Sequence, residues 1–285
     1  MLHTFRYAFL ASAAVAVACS LLSPFVVYKR MAFIGEGVSH AGFGGLGVAL
    51  LAGVWVPRLT EPGWMDLVLA ISCAATALTI GRLSAAAEIE SDSAIGVGLV
   101  VAMAIGIAGI DLSLYLRPDA YQTNVHDWLF GDILSADAAG SLWACVVALL
   151  TAALIGTAYK ELVFYTFDEE GALIFGMPVG LLRHVFLAVM ALAIVAAMRL
   201  VGVVLVTALL VMPGLIGRAL GNSFRGVLAW SLASGLVGML GGLLLVLRLQ
   251  RFSSGPVVVL VFAGMLGLSL ACRGIAGQLR QRAAA

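Results

Sequence analysis

Charge is the scarcest commodity in this chain. Asp, Glu, Lys and Arg supply 11% of the 285 residues, where an ordinary soluble domain carries about 25%. A solvated globular surface cannot be built from so few, and the mean hydropathy of +1.10 says the same. The net charge of +1 leaves no polybasic tail or stripe, which excludes a nucleic-acid partner. Cysteine is equally uninformative as chemistry: Cys19, Cys73, Cys145 and Cys272 each stand alone in an apolar tract, without CxxC spacing, and are expected to pack rather than form disulfides or a metal cluster. There is no GxxxxGK[ST] phosphate loop, no HExxH and no GxSxG elbow. Those absences argue against ATP binding by the chain itself and against an intramembrane enzyme.

What is present is apolar length. A spanning helix needs roughly 20 mostly apolar residues, and the chain offers eight or nine such tracts separated by short polar joints. They run at about 5–28, 38–56, 65–81, 94–112, 139–158, 181–198, 201–216, 226–247 and 256–271. The fold class expected is therefore an all-α polytopic membrane protein of eight or nine transmembrane helices, a single transmembrane domain over 1–285. The first tract ends at Lys29-Arg30, on the wrong side for a cleaved signal peptide, and is expected to remain as a span. Pro213-Gly214 is expected to bend the seventh span near its end. Arg199, between the sixth and seventh, fits either a tight outer turn or a broken helix from which it snorkels.

Against that background the ionisable residues stand out. Glu36 and His40 are four residues apart at the mouth of the second tract, so in a helix they stack on one face with Ser39 beside them. A carboxylate and an imidazole there are costly unless they pair, face water or hold an ion. Together they can ligate zinc, manganese or ferrous iron, but two side chains leave a site incomplete. Water, backbone carbonyls or the same pair from a second subunit would complete it. Such an incomplete site suits transit, because an ion held as in a structural site would not leave. Glu88, Glu90 and Asp92 form either a solvated edge or an acidic pore mouth. His126 and Asp127 are adjacent and so do not share a helix face.

The longest polar joint, about 159–183, opens with Tyr159-Lys160-Glu161 and continues through Phe167-Asp168-Glu169-Glu170-Gly171 to Gly176-Met177-Pro178. Asp168 can cap a short helix whose first turn holds Glu169 and Glu170, Gly176 can end it, and Pro178 stops its continuation. With this joint inside and nine alternating spans, ten Lys and Arg fall in the cytoplasm and six outside, in keeping with the positive-inside rule.

Four blocks together resemble the membrane permease subunit of bacterial ABC importers for zinc, manganese and iron. They are Met31-Ala32-Phe33-Ile34-Gly35-Glu36-Gly37-Val38-Ser39-His40-Ala41, Trp128-Leu129-Phe130-Gly131-Asp132-Ile133-Leu134, the joint from Tyr159 to Pro178, and Arg199 to Pro213. The blocks occur in family order and cover nearly the whole chain. Glutamate stands at position 36 where aspartate is the commoner acid, and Gly42-Phe43-Gly44-Gly45 replaces the more frequent leucine-proline-glycine.

The resemblance implies an ABC-importer permease bundle in the bacterial inner (cytoplasmic) membrane. It implies a second permease subunit, a copy or a paralogue, two cytoplasmic ATPase subunits and an extracytoplasmic metal-binding protein. Glu36 and His40 would carry the transported ion, zinc or manganese, with Ser39 supporting. Phe167, Asp168, Glu169, Glu170, Gly171, Gly176 and Pro178 would couple to the ATPase, with no permanently bound cofactor. A proton-coupled secondary carrier using the same Glu36/His40 pair is the alternative.

Overall fold

The computed structural model describes residues 2–86, 91–118, 133–249 and 254–284. All regular structure in them is helical: α1 (Leu2–Tyr28), α2 (Ala32–Gly53), α3 (Pro62–Ala86), α4 (Ser91–Leu116), α5 (Ala138–Thr157), α6 (Tyr159–Phe167), α7 (Glu169–Ile174), α8 (Val179–Leu220), α9 (Phe224–Leu249) and α10 (Ser254–Ala284), with single 3-10 turns at Pro57–Thr60 and Ile133–Ser135. Glu88, Glu90, His126, Asp127 and Trp128 lie outside the described residues, as does the side chain of Asp92.

The 42-residue α8 is the element that organises the rest. Its sole non-helical dihedral is at Gly202 (φ 78°, ψ 162°), a region open to glycine and closed to most side chains. Phe186 of its first arm packs its ring 6.1 Å from that of Phe25, and Gly214 of its second arm donates its N–H to the Ser23 hydroxyl at 2.7 Å. Ser23 and Phe25 are neighbours on α1, whereas 28 residues of straight helix would span about 42 Å. The chain therefore reverses at Gly202, and 179–201 and 203–220 run back to back. Arg199 sits at that reversal and is ion-paired to Asp66 at the start of α3, in the turn between the two arms.

Pro213 lies inside the second arm, which keeps helical dihedrals on to Leu220. The proline ring removes one N–H, and the next, that of Gly214, donates to the Ser23 hydroxyl of α1. The reversal falls at Gly202, at the expected joint between the sixth and seventh tracts, where a positive φ turns the chain back on itself.

Among the described residues seven helices are long and apolar enough to cross a membrane, namely α1, α3, α4, α5, α8, α9 and α10. The reversal gives α8 two crossings. The 22-residue α2 is long enough for another, at about 33 Å, although its Glu, His and glycines lower its hydropathy. That makes nine candidate crossings among the described residues, inside the expected eight or nine.

α8 lies at the centre, with Met190, Ile194, Ala197, Val201, Val206 and Leu209 all buried. Around it α4, α5 and α10 turn large apolar side chains outwards, among them Val100, Leu149 and Leu260, as helices facing lipid should. Tightness comes from small residues: a Cβ on Gly44 would stand 2.7 Å from the Ala102 carbonyl oxygen, and α2 and α4 touch backbone to backbone again at Gly47 and Gly106. Cys19 and Cys73 are buried in the core as packing residues, whereas Cys145 is half-buried and Cys272, against expectation, is exposed.

Candidate functional site

α2 begins at Ala32, about a turn and a half before the tract anticipated from hydropathy, so Glu36 and His40 both lie inside it and one turn apart. Each is half-buried. No hydrogen bond or ion pair joins the two side chains, and the buried Nδ1 of His40 has no partner among the described residues. An imidazole nitrogen shut away from solvent without a donor or acceptor is costly unless something is to occupy it.

Ser39 is placed differently from its neighbours. It is wholly buried, and its hydroxyl donates to the Gly35 carbonyl at 2.6 Å, one turn back. Its proton is thus spent on the backbone of the turn that carries Glu36. The helix is fastened from behind by α3, where the Cys73 thiol donates to the Val38 carbonyl at 3.2 Å and the Ser72 hydroxyl to the Ala41 carbonyl at 2.9 Å. On another side Leu210 of the second α8 arm lies 3.1 Å from where a Gly35 Cβ would be. No group of three or more His, Cys, Asp or Glu capable of holding a metal occurs among the described residues. On α2 the side chains of ligating type are one carboxylate, Glu36, and one imidazole, His40. A cavity of about 350 Å³ between α2, α3 and α4 includes neither Glu36 nor His40 and is lined by residues such as Gly44, Val48, Thr76 and Val101.

The polar joint is built as its residues foretell. The Asp168 carboxylate accepts the Gly171 N–H at 2.8 Å and caps α7. At the other end Gly176 takes φ 74°, its N–H bonds to the Leu173 carbonyl at 3.0 Å, and the Met177 N–H bonds to the Ala172 carbonyl at 3.0 Å. That is the Schellman closure, which needs a left-handed residue and so favours glycine. Ala172 is buried against Tyr165 and Val179, while Leu173, Ile174 and Phe175 are exposed, Ile174 to 85%. Phe167 packs with Phe224 of α9 and Tyr28 of α1, with ring centroids 5.6 Å and 5.2 Å away. Asp168, Glu170 and Pro178 are exposed.

Glu169 is turned the other way. Its carboxylate meets Lys29, just past the end of α1, at 2.6 Å, and is also ion-paired to Arg183 in the first turns of α8. Burial pushes that carboxyl up, but hydrogen bonds from Lys29 and Arg183 outweigh it and hold it below the ordinary carboxylate range. Lys29 Nζ lies 3.5 Å from the centre of the Tyr165 ring, and burial lowers its pKa against the opposing pull of Glu169. Neither the Glu169 clamp nor the Arg199 to Asp66 pair was visible in the sequence. Lys29 is 140 residues from Glu169 and Asp66 is 133 from Arg199, and only the presence of unbalanced charges at helix ends hinted at them.

Comparison with known proteins agrees with this architecture. Residues 1–273 match the family described as the ABC 3 transport family. A protein of Thermotoga maritima named "Probable metal transport system membrane protein" is 31% identical over 260 residues, covering 90% of this chain and 85% of its own. The manganese transport system membrane protein MntC of Halalkalibacterium halodurans is 28% identical over 267 residues, 93% of this chain and 85% of its own. The solved structure of PsaBC from Streptococcus pneumoniae in complex with Fab superposes with a TM-score of 0.79 at 24% identity, over 94% of this chain and 91% of that one. The chain belongs to the ABC 3 transport family, as a multi-pass membrane subunit whose ATP hydrolysis resides in a separate subunit.

Proposed function

We propose that this chain is the membrane-spanning subunit of an ATP-driven importer for a divalent transition metal ion, zinc or manganese, in a bacterial inner membrane. The observation that carries the reading is the half-buried Glu36 and His40 one turn apart on α2, with the His40 Nδ1 buried and unpartnered. Carboxylate oxygen and imidazole nitrogen are ligands for Mn²⁺, Fe²⁺ and Zn²⁺ alike. Ser39 supports them by tightening the turn beneath. A second permease subunit, a copy of this chain or a paralogue, brings further ligands to the path, and an extracytoplasmic metal-binding protein delivers the ion.

The joint at 159–183, with Phe167, Asp168, Glu169, Glu170, Gly171, Gly176 and Pro178, is the coupling segment for two cytoplasmic ATPase subunits. Its exposed Leu173-Ile174-Phe175 knob is the apolar feature that suits insertion into a groove. The protein does no chemistry on the ion; it offers donors weak enough to be left again.

Reconstituted importer, titrated with Mn²⁺, Fe²⁺ and Zn²⁺ each bound to the delivery protein, should show ATP hydrolysis stimulated by one of them. Uptake that persists without the ATPase and collapses with the proton gradient would identify a secondary carrier instead.

A further inference from the structure

We propose that Glu169 transmits movement of the coupling segment into the spans, by holding Lys29 of the α1 end and Arg183 of the α8 start on one carboxylate. This rests on the reading of 159–183 as the ATPase coupling segment, and adds to it a division of labour between two faces of α7. The outer face, Leu173 and Ile174, is exposed. The inner face is fastened twice, by Ala172 in the small cluster with Tyr165 and Val179 and by the Glu169 ion pairs.

The ionic fastening is the one that reaches two spans. Ala172 packs only within the joint and the first residues of α8. Glu169 reaches Lys29, whose side chain is just 12% exposed and is backed by the Tyr165 ring. From Lys29 the contacts are continuous to the candidate ion site: α1 carries Ser23, which accepts the Gly214 N–H of the second α8 arm. That arm carries Leu210 against Gly35, the residue before Glu36. A pull on α7 thus displaces the ends of α1 and α8 together, and both elements touch the helix that holds Glu36 and His40, directly or through one neighbour.

One carboxylate facing two cations also makes the joint intolerant of its loss. Without Glu169, Lys29 and Arg183 repel across the place it occupied, so the three elements lose a tie and gain a separation. Asp168 caps α7 and Glu170 is solvent-exposed; neither reaches a span.

The complete importer, reconstituted in proteoliposomes with its ATPase and delivery protein, tests this. The ion used is whichever of Mn²⁺, Fe²⁺ and Zn²⁺ the unaltered importer takes up fastest. Glu169→Gln should still co-purify with the ATPase, while ions moved per ATP hydrolysed fall by about tenfold. Lys29→Gln, which leaves the Glu169 to Arg183 pair in place, should show the same kind of loss, and the double variant should be no worse than the poorer single one.

A ratio unchanged in both single variants, or losses that multiply in the double, would overturn the proposal. So would loss of the ATPase from Glu169→Gln particles, which would place Glu169 on the docking face, or failure of both variants to assemble, which would make the clamp merely structural. Ile174→Asp separates the underlying reading: if it leaves ATPase recovery intact, the docking face is elsewhere, whatever Glu169→Gln does to the ratio.

Discussion

Two polar regions of this molecule are built on opposite rules. At the α6–α7 joint the charge that faces inwards is satisfied: Glu169 is paired twice, and Asp168 is used by a backbone amide. On α2 the reverse holds, with Glu36 and His40 left without each other and a buried ring nitrogen left without a partner. Satisfied networks are rigid, and unsatisfied groups are available. On the proposed function the first would be the connection through which force enters, and the second the open valences that the cargo would pass.

The largest effect should come from removing the open valence. His40→Ala should leave the protein folded and assembled but lower metal uptake by about a hundredfold or more, since loss of even an outer-shell partner costs that order at metal sites. Normal uptake in vesicles carrying it would remove α2 from the ion path.

Next comes the satisfied joint. Gly176→Pro replaces a residue at φ 74° by one fixed near −65°, so the Schellman closure must open. Recovery of the ATPase in co-purification should fall by about tenfold, the equivalent of roughly 1.4 kcal/mol, with delivery-protein binding intact; equal recovery would mean the presentation of α7 is irrelevant.

A third substitution asks whether α2 depends on close approach to α4. Gly47→Val would drive a Cβ into the Gly106 carbonyl, which is backbone and cannot rotate away. Destabilisation of about 1–3 kcal/mol is expected for such overpacking, read as a lower thermal midpoint in detergent. An unchanged midpoint would show the two helices free to part.

The smallest effect concerns acid. Because the Glu169 carboxyl is held below its ordinary value, its stabilisation is complete above the unfolded carboxylate pKa of about 4.3 and is lost as pH falls through the lower folded value. The difference in midpoint between parent and Glu169→Gln should stay constant from about pH 7 to 5 and shrink towards pH 3. A difference that shrinks already near neutral pH would mean that the carboxylate is not held by Lys29 and Arg183.

Local features were legible in the residues alone. The apolar tracts, the Asp168 cap and the Gly176 closure depend on near neighbours, and each is where its residue chemistry puts it. The joint between the sixth and seventh tracts was expected at Arg199, and the reversal falls close by at Gly202, whose dihedral makes sense only once Phe186 and Gly214 must both reach α1. The early start of α2 escaped notice because Glu36, Ser39 and His40 depress hydropathy without breaking the helix. Of the candidate site, the pairing of Glu36 with His40 on one helix was readable from spacing. The inward use of Ser39 and the partners of Glu169 were not, since both are decided by what folding brings alongside.

The reversal at Gly202 leaves the two arms of α8 no slack. Joined at one residue and pinned there by Arg199 to α3, they are shaped like a pair of tongs, with the pivot at Gly202 and the tips at Arg183 and Arg218. Lateral motion at the tips would then be read along the arms as a change of the angle between them.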